Sequence, residues 1–276
     1  MKVADAICTL MLLNCGPLAL ALEPTPAPAA APVPAPVPAI APVIAELRPF
    51  ETRYAFLWHD MNAGSASFAL QRLSAQEWSY SSRTEPRGLF KLFSAATANL
   101  QSRMDIGPEG VRPLHFSAQQ GGSGTPTADL NFDWDKLRVT GRIDDGHVEV
   151  ALRAGVQDDL SVQVALIQAL AAGRMPMGIA LFDKSGIRDY EYTRVGEETL
   201  HTPLGDVATV IYRSHRANSS RSTRFWCAPA YGYIPLRAEQ QHDQDVEWVM
   251  ELRALRRDPP APAPAPAPAA AAAATK

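Results

Sequence analysis

Asp133 and Asp135 flank Trp134 and form the most suggestive carboxylate pair in the chain. On a strand, residues two apart share a face, so the pair could ligate a cation or divide acid and base work. Hydrolysis of a glycan would need one of them to face a second carboxylate across a cleft, and Glu191 is the candidate. A solvated strand face ahead of a turn is the simpler expectation. A second cluster is cationic. Arg213, Arg216, Arg221 and Arg224 surround Ala217-Asn218-Ser219-Ser220, which reads as a hairpin turn. Guanidinium groups gathered there could hold an anion such as a lipid headgroup or a cell-wall phosphate. Charge at such a place also protects a sheet edge. Trp134 and Trp226, aromatics on alternating positions, complete the candidate ligand-binding set.

The other reactive residues are scattered. His59, His115, His147, His201, His215 and His242 include no two within two to five residues, so no zinc-type pair is visible. Gly121-Gly122-Ser123-Gly124 lacks the final glycine of a nucleophile elbow and lies in a Gly/Thr/Pro loop. There is no phosphate-cradling motif with a lysine. No metal and no cofactor are expected, and no catalytic residue is assigned.

The elements that must position these residues follow a period of two between Glu46 and Arg257. Phe50, Thr52, Tyr54, Phe56 and Trp58 fall on one face, with Glu51 and Arg53 on the other. Leu130, Phe132 and Trp134 alternate with Asn131, Asp133 and Asp135; Val246, Trp248, Met250 and Leu252 alternate with charged residues. This predicts strands with one face on a core and one in water. Turn signals recur at Met61-Asn62-Ala63-Gly64, Gly107-Pro108-Glu109-Gly110, Asp144-Asp145-Gly146, Lys184-Ser185-Gly186 and Leu204-Gly205-Asp206. Asp145-Gly146 is a candidate type I′ turn. The expected fold is mainly β: a curled antiparallel sheet or barrel with one substantial helix, about 158–172. There the period turns helical, with Leu160, Val164, Ile167 and Ala171 on a stripe. Asp158 or Asp159 can cap its start, Gly173 can close it and Pro176 stops it. Few charges follow the caps, so this helix should be buried against the concave side of the sheet.

The first fifty residues fix the compartment. Met1 and Lys2 lead into an apolar run from Ala6 to Leu22, and Ala19-Leu20-Ala21 supplies a small-x-small site. This reads as an export signal, residues 1–21, cleaved after Ala21. A membrane anchor is disfavoured because Asn14 and Pro17 interrupt a run short of about 20 apolar residues. Lipidation at Cys15 of Leu12-Leu13-Asn14-Cys15 is a minor alternative. Residues 22–45 and 258–276 are Pro- and Ala-rich and are expected to be disordered arms around a single domain, 46–257. A periplasmic or otherwise exported protein follows, with no transmembrane span once the signal is gone. Net charge is −3, which excludes a strongly basic nucleic-acid binder. Cys8 and Cys15 leave with the signal, so Cys227 is alone, forms no disulfide and reads as a small buried residue.

Several segments carry a resemblance. Tyr80-Ser81-Ser82-Arg83-Thr84-Glu85-Pro86-Arg87-Gly88, Asn131-Phe132-Asp133-Trp134, Gly155-Val156-Gln157-Asp158, Tyr190-Glu191-Tyr192-Thr193 and Tyr231-Gly232-Tyr233-Ile234-Pro235-Leu236-Arg237 resemble the bacterial family called domain of unknown function 3108. The resemblance runs from about Phe50 to Arg257 and implies an exported, β-rich protein; it brings no catalytic residue with it. More weakly, Phe225-Trp226 and the Tyr-Gly-Tyr turn look like the late strands of envelope lipoprotein carriers of the localisation-factor type. That similarity implies a curled sheet holding acyl chains. Two function classes therefore stand: a non-enzymatic envelope protein binding a lipid, another amphipathic molecule or a partner protein, and an envelope hydrolase acting on cell wall or polysaccharide. An enclosed apolar cavity of about 300 Å³ or more would favour the carrier.

Overall fold

A computed structural model describes residues 47–88, 90, 97–121, 126–176, 178–183 and 186–257. The expected signal, leader and tail, Cys8, Cys15, Gly122-Ser123-Gly124 and Lys184-Ser185 lie outside the described residues. The chain first lays down eight strands: β1 (Phe50–Trp58), β2 (Met61–Arg72), β3 (Glu77–Pro86), β4 (Ala98–Gly107), β5 (Gly110–Gln120), β6 (Pro126–Asp133), β7 (Arg138–Ile143) and β8 (Gly146–Ala151). A helix, α1 (Ser161–Ala171), follows. Six more strands complete the fold: β9 (Gly178–Asp183), β10 (Gly186–Thr202), β11 (Gly205–His215), β12 (Arg221–Ala228), β13 (Ile234–His242) and β14 (Asp245–Arg257).

All fourteen strands form one antiparallel sheet in the order β8-β7-β6-β5-β4-β3-β2-β1-β14-β13-β12-β11-β10-β9. Each half is a meander of sequential neighbours. The halves join where β1 meets β14, with Phe50 opposite Arg257. The sheet does not close; β8 and β9 are its edges. It nevertheless curls, because Phe132 on β6 meets Phe182 on β9 edge to face at 6.2 Å between ring centroids. One hydrophobic cluster takes residues from both halves, Phe56, Leu130, Phe182, Leu236 and Trp248 among them.

Helix α1 plugs the interior. Val164 and Ile167 pack into the main cluster, while Val162, Leu166 and Leu170 pack against Leu181, Tyr190, Tyr192 and Tyr212. A helix covered on both sides can be apolar on both sides, which is why so few charges follow its cap. Asp158 is the cap: its Oδ1 accepts the N–H groups of Leu160 and Ser161, both at 2.8 Å. Gly173, at φ 67, ends the helix in the expected left-handed turn, and the Arg174 N–H returns to the Ala169 carbonyl. Gln157 ties the open edge. Its backbone bridges Ala180 and Phe182 of β9, and its Nε2 donates to the Val111 carbonyl of β5 at 2.9 Å.

Turn positions were partly displaced from expectation. The first hairpin turns at His59-Asp60, both with positive φ, and Met61 to Gly64 already belong to β2. The turn expected at Asp145-Gly146 falls one residue earlier, at Asp144-Asp145, and only Asp144 has positive φ (51), so it is not the expected type I′ turn. Pro203-Leu204 make the β10–β11 turn, and Gly205 opens β11. Among the described residues no helix is long and apolar enough to cross a membrane.

Candidate functional site

The carboxylate pair does not assemble as a pair. β6 ends at Asp133, so Asp135 lies in the β6–β7 turn and not on the same strand face, a correction to the sequence reading. The turn takes over because Asp133 bonds both the N–H and the ammonium of Lys136, at 2.9 and 2.8 Å. Those contacts hold the Asp133 carboxyl below its ordinary range. A general acid for glycan hydrolysis needs the opposite shift. Glu191 is exposed on β10, near the far end of the sheet order.

Of the four arginines, Arg213 and Arg224 stand opposite one another across β11 and β12, and Arg216 and Arg221 flank the turn between those strands. Arg213 faces solvent, while Arg216 is buried. Arg221 forks onto Glu247 at 3.1 and 3.2 Å. Arg224 pairs with Glu239 at 2.5 Å, and Arg237 reaches the same carboxylate at 3.2 Å. Arg224 and Arg237 both lie over the Trp226 ring, 5.5 and 5.1 Å from its centroid. The Trp226 indole donates to Glu198 at 2.6 Å. Cross-strand neighbours have thus paired two of the predicted cations, Arg221 and Arg224, and covered the predicted aromatic, while Arg213 stays exposed. Trp134 donates to the Pro113 carbonyl at 2.7 Å and carries Arg112 over its ring at 5.8 Å. It follows the last residue of β6, eight places from β12 in the sheet order, so the two tryptophans do not share a site.

Glu239 is the hinge of the Trp226 arrangement. It is 4% exposed and serves two guanidinium groups that are each about one-third exposed. Glu239→Ala should cost about 2 kcal/mol, below the range for a fully buried pair because water still reaches both arginines. Urea denaturation monitored at tryptophan emission would read it.

The interior is nearly full. A cavity of about 100 Å³ lies between α1 and the aromatic inner face near Tyr54, Tyr80 and Trp248. Another, about 60 Å³, lies near Phe116 and Phe182. Both fall well short of the 300 Å³ or more typical of a ligand pocket. A recess of about 320 Å³ between Gly110, Gly155, Gln168 and Arg174 is open to solvent, not enclosed. Cys227 is sealed in, and burial pushes its thiol pKa up, so it cannot serve as a ready nucleophile. Among the described residues no three His, Cys, Asp or Glu side chains converge as metal ligands would.

A further concavity is on the outer face. A groove of about 680 Å³ crosses β14 and β1 through β5. Cross-strand register builds it from two adjacent rows. One runs Arg256, Glu51, Ala69, Ser81, Gln101, Ser117. The other runs through Arg53, Ser67, Arg83 and Asn99. Six strands at about 4.8 Å spacing give it a length of roughly 24 Å. Small hydroxyl and amide side chains make its floor, and the arginines supply donors along it. Sequence reasoning missed this site. Its signal was the run of small polar residues at outward positions, but their alignment depends on which strands become neighbours.

Comparison with known proteins agrees with this architecture. A model of the family described as "Protein of unknown function (DUF3108)" matches residues 50–245. No curated protein matches the chain. A crystal structure of a beta-barrel-like protein of domain of unknown function DUF1849 from Brucella abortus is similar at a TM-score of 0.52 and 10% identity, covering 78% of this chain and 99% of that one. That likeness concerns the fold alone. A protein with a YmcC-like fold from Bacteroides fragilis aligns at a TM-score of 0.33 and 10% identity over 76% of this chain and 94% of its own, too distant to carry an argument.

Proposed function

The chain belongs to the DUF3108 family of unknown function, and from that premise we propose that it is an exported, non-enzymatic binding protein of the cell envelope that takes a partner protein in the groove over β1–β5. The single observation behind this reading is the contrast in volume. The outer groove measures about 680 Å³, while the cavity between α1 and the aromatic inner face measures about 100 Å³. An acyl chain has no room inside, which weighs against the carrier likeness. Two carboxyls weigh against the hydrolase alternative: Asp133 is shifted downward, and Asp158, shifted upward, is walled into the core.

The groove suits a polypeptide better than a sugar. Its exposed floor offers hydroxyls and amides but no outward aromatic ring on which a sugar could stack. Arg83 pairs with Glu85 and Arg256 with Glu51, and Arg53 adds one further positive charge along it, so an acidic segment is favoured. Export rests on the Ala19-Leu20-Ala21 site.

Photo-crosslinkers placed at Gln101 and at Gln244, exposed in the β13–β14 turn at the far end of β14 from Arg256, provide the test. A discrete adduct from Gln101 in the native envelope, none from Gln244, and at least a roughly tenfold loss with Ser81→Tyr at unchanged thermal stability are expected. Equal labelling from both positions would overturn the groove. Native mass spectrometry should give the bare chain beginning at Leu22; a co-purifying acyl lipid would restore the carrier, and an unprocessed precursor in the cytosol would remove export.

A further inference from the structure

β10 is 17 residues long, but β9 covers only Gly186 to Glu191 of it. From Tyr192 to Thr202 the flank away from β11 carries no strand among the described residues. Eleven residues of strand extend about 36 Å. An open edge of that length presents a row of unpaired backbone groups, and soluble proteins usually shorten or cover one. Thr193, Arg194, Val195, Glu197, Glu198 and Thr199 along it are all exposed, and Val195, β-branched and apolar, is 50% exposed.

We propose that this flank of β10 receives the same flank of a second copy of this chain, pairing antiparallel about a two-fold axis between Val195 and Gly196. The charges select that arrangement. A bulge at Val195 sets Arg194 opposite Tyr212 and Gly196 opposite Ile211, which brings Arg194 and Glu197 onto one face, where they form an exposed ion pair. About the two-fold, Arg194 of each copy stands opposite Glu197 of the other on that same face. The two local pairs merge into a ring of alternating charge. Thr193 then faces Glu198, and Tyr192 faces Thr199. A parallel pairing in the same register would stack arginine on arginine and glutamate on glutamate. Charges on an edge protect it against strands that do not match them; these match themselves. The contact is isologous and closes at two copies, so it does not propagate into a fibre.

This dimer uses neither the groove nor the strands that build it, so it stands or falls independently of the partner reading. Sedimentation velocity of the full chain over a concentration series is the test. A reversible monomer–dimer equilibrium is expected. Arg194→Glu and Glu197→Arg should each weaken it at least roughly tenfold by placing like charges across the axis, and the double swap R194E/E197R should restore it. Val195→Lys, which sets two ammonium groups beside the axis, should abolish dimerisation. Circular dichroism should show all variants melting cooperatively, since every changed side chain is exposed. A monomer at every concentration up to roughly 200 µM, well above a micromolar dissociation constant, would overturn the proposal. So would a dimer indifferent to the single reversals, or single-variant losses that the swap fails to rescue.

Discussion

Asp158→Ala is expected to lower the unfolding free energy by about 3 kcal/mol, because one carboxylate holds three buried groups. Its Oδ1 accepts the N–H groups of Leu160 and Ser161, and its Oδ2 accepts the Ser102 hydroxyl of β4 at 2.6 Å. Asp158 and Ser102 are 1% and 0% exposed, so water cannot replace what alanine removes. The loss uncaps α1 and at the same time unlatches it from the sheet. For a domain of this size a cost of about 3 kcal/mol corresponds to a fall in melting temperature of roughly 6–12 °C. A scanning calorimetry trace within a degree of the parent would refute the double role.

The same residue gives the fold a pH dependence of known sign. Burial raises the Asp158 pKa above 3.8, against the opposing pull of its hydrogen bonds to Ser102, Ser161 and Leu160. A raised carboxyl binds its proton more tightly in the folded state. Its contribution is therefore complete below the ordinary carboxylate value and is lost as pH rises through the folded one. Asp158→Asn keeps an acceptor for the two N–H groups and abolishes the titration. Stability measured against pH should shift in favour of Asp158→Asn on going from about pH 4 to neutrality. A constant difference across that window would mean that the carboxyl is not shifted.

Gly64→Ala is the second large effect. A Cβ at Gly64 would stand 2.1 Å from the carbonyl oxygen of Glu85 on β3. The obstacle is backbone held in the ladder, with Gly64 opposite Pro86 and Ser65 opposite Glu85, so it has no rotamer to yield with. The strands must part at the end of the groove-bearing half of the sheet, at a cost of about 3 kcal/mol. Gly107→Ala is the matched control. Nothing lies within 4 Å of its Cβ position, and the change should stay within about 0.5 kcal/mol. Guanidinium denaturation of the two variants should separate them; equal midpoints would show that β2 and β3 are free to move apart.

Much of the fold was legible because it is written locally. Alternation in Phe50, Thr52, Tyr54 and Phe56 marks an inward face, and all four are buried. Asp158, Gly173 and Pro176 bound the helix within a few residues of where it lies. Turn positions were legible only to within one or two residues, since a hairpin shifts to whichever register buries the better side chains. Asp133 shows the limit at a candidate site. Its spacing from Asp135 looked like chemistry, but Lys136 folds back on it and makes a turn.

The chain's own sequence determined the class of fold, the single buried helix with its caps, and the inert setting of Cys227, because period, turn chemistry and capping act over a handful of residues. The tertiary structure alone decided which strands are neighbours. β1 meets β14 across nearly the whole domain, and that pairing lines up Arg256, Glu51, Ala69 and Ser81 into a groove no short window contains. It also pairs Arg224 and Arg237 with Glu239 over Trp226, and stops β9 short so that half of β10 stays open. A strand specifies by its own residues which face is buried; what stands beside each residue is fixed only when long-range register is chosen.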